Sequence, residues 1–172
     1  MSRAVMLSIR PKWCEKIASG EKTIEVRKTR PKLDTPFRGY IYCTLQGCNE
    51  FFRVDLGRDV AKWNRGKWAD RKGKVIGEFT CERIALIAYD GGELSSTTNA
   101  AFSPATCLTQ SEIIAYIGDK GRCYGWHMSD LRIYDTPREL SEFTGLRNTR
   151  FGAAPYDIKR PPQSWCYVEA EG

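Results

Sequence analysis

The side chains richest in chemistry in this 172-residue sequence crowd into one short stretch, Lys22, Glu25 and Arg27, with Glu78 further along the chain. A carboxylate among cations can act as a general acid or base when its neighbours perturb its proton affinity, and a lysine can stabilise negative charge as it develops. In Thr23-Ile24-Glu25-Val26-Arg27-Lys28 the alternation predicts a strand with Ile24 and Val26 on one face and Thr23, Glu25 and Arg27 on the other. Glu25 and Arg27 then sit one pleat repeat apart, and Lys22 stands at the strand's entrance. With Glu78 supplied by a neighbouring strand, a cleft would hold two acids and two bases, which makes Lys22, Glu25 and Glu78 the candidate catalytic set. The same residues suit a structural ion-pair network closing one end of a barrel, because such networks perturb charges equally well.

Binding chemistry rests on two further components. Arg10, Lys12, Lys22, Arg27, Lys28, Arg30 and Lys32 can neutralise phosphates, while Trp13, Tyr42, Trp126 and Trp165 can stack on bases or line a cleft. Each of these aromatics also suits a core. A second basic set, Lys62, Arg65, Lys67, Arg71, Lys72 and Lys74, is interleaved with Trp63 and Trp68. No zinc knuckle, GXXG loop, RNP motif, helix-turn-helix spacing or phosphate loop is present, so recognition by those modules is not supported. The single histidine, His127, lies beside Trp126 and Met128 in a strand-like run, which leaves no Ser-His-Asp or Cys-His arrangement to argue for. Cys43-x4-Cys48 and Cys123-x3-His127 come nearest to metal spacing, but without a C-x2-C pair they read as ordinary thiols, and neither a metal nor a cofactor is expected.

Composition bounds what can carry this chemistry. Apolar residues at 41% and charged residues at 28% describe a globular chain rather than a disordered, collagenous or coiled-coil one. The longest apolar runs, residues 4–9 and 84–89, fall far short of the ~20 residues that span a bilayer, and there is no signal-peptide pattern. Seven cysteines in no paired framework fit a reducing compartment, so a soluble cytoplasmic protein without membrane contact is expected. The net charge of +6 is unevenly spread: residues 1–32 hold nine Lys/Arg against three Glu, and residues 53–74 hold eight against three Asp. A solvated face explains such runs, and so does an anionic partner.

The elements that must position the site alternate short strands with a few helices. Strands are expected at 4–9, 23–28, 38–45, 75–89, 123–134 and 164–169, with Gly77 as a bend that turns Glu78 from the regular pleat. Pro11 and Gly20 bracket a helix over 11–19, and the capping box Thr109-x-x-Glu112 opens another over 109–117. Thr136-Pro137-Arg138-Glu139 repeats that start signal for a short helix through Phe143, and Val60 to Trp63 suits one helical turn. Residues 46–73, 90–108 and 144–163 read as loop insertions. Without a repeat or linker, the whole of 1–172 is expected to form one domain.

The string Leu7-Ser8-Ile9-Arg10-Pro11-Lys12-Trp13-x-x-x-Ile17-x-x-Gly20-Glu21-Lys22-Thr23-Ile24-Glu25-Val26-Arg27 resembles the opening motif of the ASCH domain family in the PUA-like superfamily. Val75-Ile76-Gly77-Glu78-Phe79 and Tyr124-Gly125-Trp126-His127-Met128-Ser129 resemble its downstream strands. The resemblance implies an α+β, mainly β fold: a small PUA-like antiparallel β-barrel with short helices at its rim and a cleft beside the helix-to-strand turn. It also implies RNA-related roles, and one branch hydrolyses the acetyl amide of N4-acetylcytidine with a lysine, a threonine and a glutamate. The lysine corresponds to Lys22 and the glutamate to Glu78, whereas Glu25 stands at the threonine's place and Thr23 lies two positions earlier.

The expected function is therefore an RNA- or nucleotide-binding, regulatory module with a charged cleft. Its ligand set is Arg10, Lys12, Trp13, Thr23, Arg27, Lys28, Tyr42 and Trp126, and its partner is RNA, a nucleotide or a modified nucleoside. Two alternatives stand beside it: a hydrolase of an N4-acylcytidine-like amide or an RNA phosphodiester, and a non-catalytic interaction protein with a basic face.

Overall fold

The computed structural model describes residues 2–45, 69–98 and 104–171. The expected turn at Val60 to Trp63 and the side chains of Lys62, Arg65, Lys67, Trp63 and Trp68 lie outside the described residues, as does Cys48. The chain forms two compact units, one from residues 1–15, 38–78 and 132–172 and the other from 16–37 and 79–131.

In the first unit, β1 (Arg3–Ile9) is the central strand. Residues 4–9 are buried on both faces, which is why this segment is apolar rather than alternating except at Ser8, whose hydroxyl donates to the Pro162 carbonyl. It pairs in parallel with β3 (Phe37–Cys43), Met6 opposite Tyr40, and antiparallel with β9 (Trp165–Glu169). A parallel pair needs a long crossover, and residues 10–36 supply it. Beyond β9 lie β7 (Thr144–Thr149) and β8 (Gly152–Asp157), a hairpin. β4 (Lys74–Asp90) and β6 (Arg122–Arg138) run through both units. Met6, Tyr40, Tyr42, Val75, Phe143 and Val168 belong to the core of this unit. Gly77 serves close packing: a Cβ there would meet the Arg132 carbonyl oxygen of β6 at 2.4 Å.

In the second unit, β2 (Ile24–Arg27) pairs antiparallel with β6, Glu25 opposite Trp126. Helix α2 (Gln110–Ile117) starts at the expected capping box, with the Thr109 hydroxyl accepting from the Glu112 amide and the Glu112 carboxylate accepting from the Thr109 amide. It lays Ile113 and Ile117 against Ile24, Val26, Ala85 and Ile87. Helix α1 (Pro11–Ala18) precedes β2, as the Pro11 and Gly20 signals require.

Several expectations need correction. Among the described residues the strands do not close into a barrel: their hydrogen-bonded order, β2-β6-β4-β3-β1-β9-β7-β8, has two ends. Nor is the pairing wholly antiparallel, because β1 and β3 run together. Residues 90–108 are not simply a surface insertion. Gly91 and Gly92, at φ +58° and +89°, make the two-residue turn of a hairpin joining β4 to β5 (Glu93–Ser96), and residues 104–106 form a 3-10 turn with Thr106 fully buried. Residues 144–163 contain the β7–β8 hairpin rather than loop alone. The helix expected from Thr136 is overridden by β6, which continues to Arg138; the cap falls at Glu139, where a 3-10 turn over Leu140–Glu142 begins.

Candidate functional site

Helix α1 is closed by the Gly20 amide on the Ile17 carbonyl, 3.0 Å, and the Lys22 amide on the Lys16 carbonyl, 2.9 Å, which turns the chain directly into β2. Thr23 is then held from two directions, its amide on the Ala105 carbonyl at 3.0 Å and its carbonyl receiving the Met128 amide at 2.9 Å. This backbone frame aims the Lys22 side chain inward.

The Lys22 ammonium donates to the Ile24 carbonyl at 2.9 Å and to the Thr106 carbonyl at 2.6 Å, and lies 3.3 Å from Glu25 Oε2. The other carboxylate oxygen, Glu25 Oε1, is 3.0 Å from Arg27 Nη2. The three residues are 2%, 6% and 9% exposed. The alternation of β2 is therefore real, but its ionic face is as dry as its apolar one. Burial of this kind requires pairing, and the order cation, carboxylate, cation supplies it. With both oxygens of Glu25 engaged, proton abstraction by this carboxylate would first require one bridge to open. The arrangement as it stands fixes position. Tyr116 of α2 feels the same charges: burial raises its phenol above the ordinary value, Arg27 opposes the rise and Glu25 adds to it.

Glu78 lies in the other unit and is engaged there. Tyr134 donates its hydroxyl to Glu78 Oε2 at 3.0 Å, and Arg132 Nη1 is 3.6 Å from Oε1. Burial, followed by this hydrogen bond, holds the Tyr134 phenol far above its usual range, so it stays protonated and donates. Glu78 and Tyr134 border a cavity of about 330 Å³ together with Arg132, Asp135, Arg138 and Glu171. Arg138 forks onto both carboxylate oxygens of Glu171, at 2.5 and 2.7 Å.

The remaining candidates divide by exposure. Arg10, Lys12, Thr23 and Lys28 are exposed. Trp13 is half-buried with the Lys12 ammonium 4.7 Å from its ring centre, and the Lys28 ammonium stands 5.2 Å from the Tyr116 ring. Tyr42 and Trp126 are core residues, 4% and 0% exposed, and Trp126 meets Phe37 edge-on at 5.8 Å; neither offers a face on which a base could stack. His127 is half-buried 3.4 Å from the Thr98 hydroxyl, and burial with the nearby Arg83 charge lowers its proton affinity. Sequence reasoning missed Ala105 and Thr106, whose carbonyls anchor Thr23 and Lys22, because a backbone acceptor leaves no mark in residue type. Tyr134 carried only a weak signal, its place in a long strand-like run. Among the described residues no three His, Cys, Asp or Glu side chains gather as metal ligands would, and no helix is long and apolar enough to cross a membrane.

Comparison with solved structures gives the class of fold. The chain superposes on the crystal structure of ASCH from Zymomonas mobilis with a TM-score of 0.55 at 17% identity, over 96% of this chain and 87% of that one. Two variants of that protein, one with a tyrosine replaced by phenylalanine and one with a serine replaced by alanine, match with the same TM-score at 16% identity, over 96% of this chain and 90% and 88% of theirs. No protein-family profile matches the sequence, and no curated protein shows significant similarity to it. The fold is that of an ASCH domain.

Proposed function

We propose that this ASCH-fold protein is an RNA- or nucleotide-binding module. The observation that carries the reading is the division of charge around β2: Lys22 and Arg27 are buried on Glu25, whereas Lys28 and Arg30 follow at the end of the same strand and are exposed. The buried set holds the strand in place, and the exposed cations meet phosphate. Fluorescence anisotropy of a short single-stranded RNA between 50 and 200 mM salt tests this. Affinity should fall steeply with salt, and Lys28→Glu with Arg30→Glu should lower the slope by about 1.4, from ~0.7 per lost phosphate contact. Lys120→Glu with Arg122→Glu, also exposed, should change it less. Equal effects from the two pairs would reduce the interaction to nonspecific attraction and refute the reading.

One observation favours a second reading, hydrolysis of a nucleobase amide: Glu78, at the place of the family's glutamate, borders the cavity with Oε1 3.6 Å from Arg132. Glu25 provides no hydroxyl for an acyl intermediate, so Glu78 would activate water instead, through Oε1 once the exposed Arg132 side chain swings away, because Oε2 holds the Tyr134 hydroxyl. Turnover of N4-acetylcytidine that is abolished in folded Glu78→Gln would establish this reading. The absence of turnover in the unmodified protein would remove it.

A further inference from the structure

The β7–β8 hairpin carries two arginines, Arg147 and Arg150, that the triad and its flank do not involve. Residues 144–163 hold four Lys/Arg against one Asp, a basic island in a part of the chain that is otherwise acidic. Residues 147–152, the distal half of the hairpin, are all exposed, and Phe151 at its tip is 85% exposed. An isolated exposed apolar residue is unremarkable on any surface. This one is presented in a particular way. The Thr149 hydroxyl donates to the Gly152 carbonyl at 2.8 Å and accepts from the Phe151 amide at 3.2 Å, so the tip is tied by hydrogen bonds rather than left to solvent. The Arg150 guanidinium lies 4.6 Å from the Phe151 ring centre.

Among the described residues, charge at the tip is uncompensated. Arg138 in the same unit is bound by Glu142 and Glu171, whereas Arg147 and Arg150 have no carboxylate within salt-bridge distance among the described residues. Opposite Arg147 and Asn148 the partner strand offers only Ala154 and Ala153, which leaves the longer side chains unobstructed. The tip thus combines an ordered aromatic ring, a guanidinium plane on it and a second cation nearby. An aromatic ring stacks on any unpaired base, and the arginines suit the flanking phosphates.

We infer that the tip of the β7–β8 hairpin is a contact site for single-stranded RNA, in which Phe151 stacks on an unpaired base and Arg147 and Arg150 bind adjacent phosphates. This rests on the RNA-binding reading proposed above and adds to it a second site of contact. The test is the same anisotropy titration, using a labelled 12-nucleotide single-stranded RNA and the full chain. Phe151→Ala should weaken binding roughly fivefold or more, and Phe151→Trp should restore or exceed the original affinity. Arg147→Glu with Arg150→Glu should weaken binding further and lower the salt slope by about 1.4. Because all three side chains are exposed, circular dichroism should show each variant folded. If Phe151→Ala and the arginine pair bind as the unmodified protein does while Lys28→Glu with Arg30→Glu weakens binding, the hairpin site is refuted and the RNA-binding reading stands. If the unmodified protein binds no RNA even at low salt, both fall. Loss on Phe151→Ala that Phe151→Trp does not restore would also overturn stacking as the mode of contact.

Discussion

Replacing Glu25 by Gln should destabilise the protein far more than an ordinary substitution, because the carboxylate lies between two buried cations. Glu25 Oε2 is 3.3 Å from the Lys22 ammonium and Oε1 is 3.0 Å from the Arg27 guanidinium, with all three residues less than a tenth exposed. The amide keeps the shape but removes the negative charge, and leaves Lys22 and Arg27 buried with no intervening anion. Breaking a buried pair in this way costs about 3–5 kcal/mol. In a chain of this length each kcal/mol lowers Tm by about 2–4 °C, so the expected fall is roughly 6–20 °C. Lys22→Met should cost less, about 2–4 kcal/mol, since Glu25 and Arg27 remain paired while the Ile24 and Thr106 carbonyls lose a donor. Urea and thermal unfolding of the two single variants and the double variant form a cycle whose coupling should exceed about 1 kcal/mol. A loss below about 1 kcal/mol for Glu25→Gln, or an additive cycle, would mean that the three charges are solvated independently and would refute the argument.

Gly77→Ala should cost about 1–3 kcal/mol in urea unfolding, because its Cβ would lie 2.4 Å from the Arg132 carbonyl oxygen, a backbone atom that cannot rotate away; a neutral result would show that β4 and β6 separate freely there. His127, the only histidine in the chain, should titrate below its ordinary value of 6.5 in an NMR experiment, chiefly because it is buried and secondarily because of Arg83, so Arg83→Ala should move it part of the way back. A lowered folded-state value means that the unfolded chain takes up the proton first. Its contribution to stability is therefore complete above pH 6.5 and declines as pH falls from there through the folded value; a measured value at or above 6.5 would contradict this sign.

Much of this fold was legible because its signals are local. Pro11, the alternation through Ile24 and Val26, and the Thr109–Glu112 capping box each state their element in a few residues, and each element formed. The segments misread as loops failed for an identifiable reason. Gly91-Gly92 is a loop signal in composition but a hairpin turn in geometry, and β8 is built on Gly152, Ala153, Ala154 and Pro155, residues with little strand preference that pairing with β7 nevertheless holds. Parallel pairing of β1 with β3 left no mark in sequence, since it depends on which strands meet. At the candidate site, the grouping of Lys22, Glu25 and Arg27 could be read from pleat spacing. That their charges are internal could not, because it depends on Thr106 and Tyr116 arriving from distant parts of the chain. Trp126 and Tyr42 show the converse: aromatic residue types that suit stacking on a base were drawn into the core by their strand positions.

The bond from Lys22 to the Thr106 carbonyl joins residues 84 positions apart. Contacts of such separation must overcome loop-closure entropy before they return any stabilisation. The local turn from α1 into β2 can form early, whereas the lysine receives its anchor only once residues 104–106 have docked. Until then Lys22 and Arg27 remain hydrated, and the penalty of drying them falls late on the folding route. Substitutions in the triad should accordingly accelerate unfolding more than they slow refolding, giving this part of the molecule a kinetic signature distinct from that of the early local turn.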